Sequence, residues 1–190
     1  GGWIGALWNP IIQGFDTNVL IEPTEVGTPA VAFNHLNFYG GEIQGGNTGV
    51  DMEGVLNVNF FGTAIEGHQR NGALIRNNSR SISFNGVYFE ANGLSDADIY
   101  NDIRIETSSP LSPAYAVKVD GGCTFLREAG AKTAIWANAC LSLEIEEGAF
   151  FNGQTNTLHV QESANRVVTG AFRARSAGSS IPIINDSNYF

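Results

Sequence analysis

The run Ile82-Ser83-Phe84-Asn85-Gly86-Val87-Tyr88-Phe89-Glu90-Ala91-Asn92-Gly93 alternates apolar and polar side chains, turns at Asn85-Gly86, and resumes with a bulky apolar pair before a second glycine. Alternation with period two marks a strand with one buried face, and Asn-Gly supplies a corner at positive φ. The run therefore reads as strand, corner, strand. Its outline recurs in Leu36-Asn37-Phe38-Tyr39-Gly40-Gly41-Glu42-Ile43, in Leu56-Asn57-Val58-Asn59-Phe60-Phe61-Gly62, and in Val117-Lys118-Val119-Asp120-Gly121-Gly122. It appears again in Leu143-Glu144-Ile145-Glu146-Glu147-Gly148-Ala149-Phe150-Phe151 and, more weakly, in Val167-Val168-Thr169-Gly170. The six starts fall at 36, 56, 82, 117, 143 and 167.

The intervals between those starts are 20, 26, 35, 26 and 24, and a loop near 94–116 carries the excess of the long one. A further strand-like run precedes most units: Ala73-Leu74-Ile75, Ala134-Ile135-Trp136, Thr157-Leu158-His159-Val160 and Ile181-Pro182-Ile183-Ile184. Two or three short strands per turn of 20–26 residues describe a solenoid whose coils bury their apolar faces on one another. A β-sandwich is the competing all-β reading, but its strands have no reason to repeat one outline six times. Arg127 to Leu141 leaves room for at most one helical turn, because Gly130 interrupts it and Asn138 sits inside it.

Composition agrees. Of 190 residues, 23 are glycine and 19 asparagine, lysine occurs only at 118 and 132, and 43% are hydrophobic. Glycine without a three-residue period excludes collagen, the apolar content excludes a disordered tail, and the scarcity of lysine disfavours helical bundles. The net charge of −9 repels phosphate backbones, so no nucleic-acid partner is expected. No apolar run is long enough for a spanning helix, so no membrane insertion is expected. The chain reads as a fragment of a longer protein. Cys123 and Cys140 have neither metal-ligand nor redox spacing and read as buried thiols.

The apolar-x-apolar-x-x-Gly outline with Asn-rich corners resembles the right-handed parallel β-helix of the pectate-lyase-like superfamily, particularly the tailspike and tail-fibre proteins of bacteriophages. The resemblance covers residues 31–176, with residues 1–30 as an N-terminal coil or cap and 177–190 as a final strand or link. It implies an elongated homotrimer on a virion, or otherwise outside the cell, that contacts other tail proteins and binds, and often cleaves, bacterial surface polysaccharide. The polygalacturonase pattern of that superfamily is missing: Gly67-His68-Gln69 stands where Gly-His-Gly is expected, and there is no Asp-Asp pair. The arginine-centred signature of pectate lyases is missing too.

Equivalent residues of successive coils lie about 4.8 Å apart, so columns of side chains form on the outside. Asn59 over Asn85 is the expected asparagine ladder, whose first role is structural. A second column runs Gln44, Glu66, Glu90, then Arg127 or Glu128, Asn152 and Arg173. Carboxylates of Glu66 and Glu90 on neighbouring coils would approach the separation used by retaining glycosidases, and mutual repulsion would raise one pKa. That is the candidate catalytic pair; the plain alternative is a solvated acidic face paired to Arg70 or Arg76. Candidate saccharide-binding residues are Asn59, Asn85, Arg76 and Asp120, with Tyr100 and Tyr115 offering aromatic faces beside the loop. Ser95 to Asp102 is acid-rich but lacks the glycine and terminal glutamate of a calcium loop, and no cofactor or metal motif occurs. The readings that remain are a polysaccharide-binding module, an endo-acting depolymerase and a passive fibre shaft.

Overall fold

A computed structural model describes residues 4–22, 35–107, 112–127, 130, 132–138 and 140–161, and the backbone of three further strands at 167–169, 173–175 and 183–185. Glu128, offered for the second outward column, lies outside the described residues, as do most of residues 23–34 and 177–190.

The described chain has no helix and folds as three parallel sheets of seven strands. The first sheet holds β1 (Ile4–Trp8), β4 (His35–Tyr39), β7 (Leu56–Phe61), β10 (Arg80–Asn85), β13 (Tyr115–Val119), β16 (Leu143–Ile145) and β19 (Val167–Thr169). Beside it runs the second, with β2 (Ile11–Gln13), β5 (Glu42–Gln44), β8 (Ala64–Glu66), β11 (Tyr88–Glu90), β14 (Thr124–Leu126), β17 (Phe150–Asn152) and β20 (Arg173–Arg175). The third contains β3 (Thr17–Ile21), β6 (Thr48–Glu53), β9 (Ala73–Arg76), β12 (Ile103–Glu106), β15 (Thr133–Ala137), β18 (Asn156–Val160) and β21 (Ile183–Asn185). Each coil contributes one strand to every sheet and pairs only with the coils before and after it, which is the architecture of a parallel β-helix and consistent with the right-handed form.

The corners explain the glycine content. Gly62 and Gly86 both leave the first sheet at positive φ, 62° and 60°, where other residues are strained. At Gly46 a Cβ atom would collide with the Phe15 carbonyl of the preceding coil.

Inside, the alternating apolar residues form one core, and its largest side chains stack in register. Phe38, Phe60 and Phe84 of the first sheet lie 4.6 and 5.2 Å apart, centroid to centroid, with near-parallel rings. Phe84 meets Phe89 edge-on within the same coil at 5.5 Å. The stack then continues on the second sheet through Phe125 and Phe151 at 4.9 and 4.6 Å. Both cysteines are buried free thiols, and burial raises the pKa of each, Cys123 to about 11 and Cys140 to about 12.

Strand pairing corrects the sequence reading in two places. Leu36 pairs with Val58, not Leu56, and Val58 with Ile82, so equivalent positions fall at 36, 58, 82, 117, 143 and 167. A two-residue slip keeps every side chain on its own face, so alternation cannot reveal it. The stretch 94–116, read as loop, contains β12, which completes the third sheet of the fourth coil. Four residues of Ile-Arg-Ile-Glu are too short a pattern to stand out between polar segments.

Candidate functional site: a polar trough on the first sheet

The register fixes which outward side chains are neighbours. Asn37, Asn59, Ser83, Lys118 and Glu144 form one column on the first sheet. Asn59 donates to Asn37 Oδ1 at 3.0 Å and to Asn57 Oδ1 at 3.0 Å, so its ladder runs back toward the second coil. The expected Asn59 over Asn85 ladder is absent. Asn85 pairs with Phe61 and donates within its own strand to Ser83 Oγ at 2.6 Å.

Beside that column the backbone bends. Asn57, Ser81 and Ala116 occupy one position in successive coils, skipped by the pairing on either side, and all three have positive φ, at 56°, 56° and 52°. Such conformations are costly for residues other than glycine and persist where the surroundings impose them. With small side chains at Ser81, Ala116 and Ser142, the bend leaves a trough of about 230 Å³ across four coils. Asn57 and Asn59 wall it at one end, Lys118 and Glu144 at the other.

The charges at the far end are arranged. Lys118 Nζ lies 2.8 Å from Asp120 Oδ1 and 2.6 Å from Glu146 Oε1. These two carboxylates raise the pKa of Lys118. Burial holds Asp120 above its ordinary range, whereas the hydrogen bond from Lys118 holds Glu146 below. Glu144 is exposed and forms no ion pair among the described residues.

Along the border with the second sheet stand Trp8, Tyr39 and Phe61, stacked at 4.2 and 5.0 Å with planes 15° and 9° apart. Only Tyr39, the middle ring, has both faces covered by the stack; Trp8 and Phe61 each keep one face outside it.

On the second sheet, Glu66 and Glu90 are in register on neighbouring coils, in a column of Gln13, Gln44, Glu66, Glu90, Leu126 and Asn152. Leu126 therefore takes the place offered to Arg127 or Glu128, and Arg175, not Arg173, follows Asn152. Gln44 donates to Glu66 Oε1 at 3.0 Å and Tyr88 to Glu90 Oε2 at 2.7 Å. Partial burial, then Glu42 and Glu90, raise the Glu66 pKa.

The other candidate residues are dispersed. Arg76 lies on the third sheet, where its guanidinium grips Asp51 at 2.8 and 2.9 Å and reaches Glu53 at 2.9 Å. Tyr100 precedes the third sheet with Arg70 6.0 Å over its ring, and Tyr115 opens β13 with Arg80 at 4.7 Å. The two tyrosines thus belong to different corners and do not frame one site. In the acid-rich loop, Asp98 is bound by Lys132 at 2.6 and 2.8 Å. Among the described residues, no cluster of three or more His, Cys, Asp or Glu side chains is arranged to hold a metal.

Neither family models, curated proteins nor solved structures give a match to this chain, so its assignment as a parallel β-helix rests on the register of its own strands.

Proposed function

We propose that this protein is a glycan-binding β-helix that engages bacterial surface polysaccharide along the trough of the first sheet, as a tailspike or tail-fibre module does during host attachment. The observation that carries the reading is the trough itself: the amides of Asn57 and Asn59 and the hydroxyls of Ser81, Ser83 and Ser142 lie around a floor of small residues that spans four coils. A rigid coil stack presents such groups at fixed spacing, so little entropy is lost on binding an extended polymer. The virion setting, contact with other tail proteins and a homotrimeric state follow from the resemblance. Side-by-side association is supported by the outward Ile4, Trp8 and Ile11 of the first coil, which are 84%, 71% and 73% exposed.

Ala116 gives the direct test. It is exposed on the trough floor. Ala116→Trp, in a variant whose urea midpoint shows it folded, is expected to weaken binding of purified bacterial surface polysaccharide by about tenfold or more. Unchanged affinity in a folded variant contradicts the trough as the binding site.

A depolymerase is the second reading, favoured by the stacked Glu66 and Glu90 and by the raised Glu66 pKa, which suits a general acid. This pair lies on the second sheet, away from the trough. If it cleaves glycan, Glu66→Gln and Glu90→Gln each lower the rate of chain shortening by roughly 100-fold or more. Full activity in both variants removes the pair from catalysis.

A further inference from the structure

The charges of the trough define the class of glycan it takes, an inference that rests on the binding reading above. An anionic sugar chain, bearing uronates or sulfates, needs free cations along its path. Among the described residues, Lys118 is the only cationic side chain lining the trough, and its ammonium is held by Asp120 at 2.8 Å and Glu146 at 2.6 Å. Arg80 stands close by in the sequence but lays its guanidinium on the Tyr115 ring at 4.7 Å and does not line the trough. Glu144, in register with Lys118 on the next coil, lines it with an exposed carboxylate. The remaining lining groups are neutral amides, hydroxyls and methyls.

Around Lys118, one positive charge therefore faces three negative ones, Asp120, Glu144 and Glu146, on a chain whose net charge is already −9. A polyanion would meet that repulsion and break an ion pair to gain any cation. A neutral polysaccharide meets acceptors and donors for its hydroxyls, with the Glu144 carboxylate as the strongest acceptor.

We infer that the trough selects an uncharged polysaccharide and rejects uronate- or sulfate-bearing ones, and that Glu144 sets this discrimination. The test is calorimetric titration of the whole chain with neutral oligosaccharides (glucan, mannan and galactan) and with an oligouronate of matched length, at low and at high salt. The expected result is binding of at least one neutral ligand, with the oligouronate weaker by about tenfold at low salt and the gap narrowing as salt screens it. Glu144→Lys should shift the preference toward the oligouronate, and Glu144→Gln should reduce it part of the way.

Oligouronate binding that equals or exceeds the neutral ligands, and that Ala116→Trp abolishes, overturns the neutral selectivity while leaving the trough as the site. Binding of neither class, or binding that Ala116→Trp leaves intact, overturns the trough reading and the selectivity with it.

Discussion

Phe60→Ala is expected to lower the stability of the coil stack by about 3–5 kcal/mol, the range for deleting a fully buried aromatic ring. Phe60 is fully buried and is the only ring in its coil that contacts both Phe38 and Phe84. Its loss leaves a gap between two coils whose backbones are fixed by ladder hydrogen bonds, so collapse around the cavity is limited. A solenoid has no second layer to share the damage, because each coil touches only its neighbours. Phe60→Leu keeps most of the volume and should cost less than half as much. Urea unfolding of the two variants against the parent checks both figures, and a loss below about 1 kcal/mol for Phe60→Ala contradicts the stacking account.

Asp102→Asn is expected to act in the opposite direction, by an amount that grows as pH rises from about 4 to about 7. Asp102 is buried where the second sheet passes to the third, accepting from Asn92 Nδ2 at 2.9 Å. Asn92 Oδ1 in turn takes the Nδ1 proton of buried His68 at 2.7 Å, and His68 Nε2 accepts from Asn18 at 3.2 Å. Burial pushes the Asp102 carboxyl up to about 7 from 3.8, so the folded state holds a proton that the unfolded state releases. The stability this group contributes is therefore complete below about pH 4 and is lost as pH rises through about 7. His68 works the other way: burial lowers its pKa, and its contribution is present above 6.5 and lost as pH falls below that value.

Asparagine keeps an oxygen for Asn92 and replaces the buried proton with a permanent neutral group. At about pH 3.5, below the ordinary carboxyl value, the variant and parent should be nearly equal. At pH 8 the variant should be more stable by a few kcal/mol, each unit of pKa shift corresponding to about 1.4 kcal/mol. Urea midpoints at the two pH values decide it, and an equal difference at both contradicts a buried neutral Asp102.

How much of this was readable beforehand differs from residue to residue. The phase of Glu66 and Glu90 was legible because Gly62 and Gly86 punctuate both coils at the same point, and the pairing places these glutamates side by side. The phase of Asn59 was not, because Leu56 and Val58 fit the same apolar template two residues apart. β12 and β6 were missed because each shows only two alternating apolar side chains, Ile103 and Ile105 in one and Val50 and Met52 in the other, flanked by polar residues or glycine. The trough was invisible for a different reason. It depends on left-handed backbone at Asn57, Ser81 and Ala116, and serine and alanine carry no local preference for that region. Only stacking on neighbouring coils imposes it.

The central claim, that the trough of the first sheet is the ligand site, is tested most directly by following backbone amide resonances as a neutral oligosaccharide is added. The account predicts shifts at Asn59, Ser81, Ser83 and Ala116 with Glu66 and Glu90 unmoved; shifts gathered on the second sheet around Glu66 and Glu90 would contradict it.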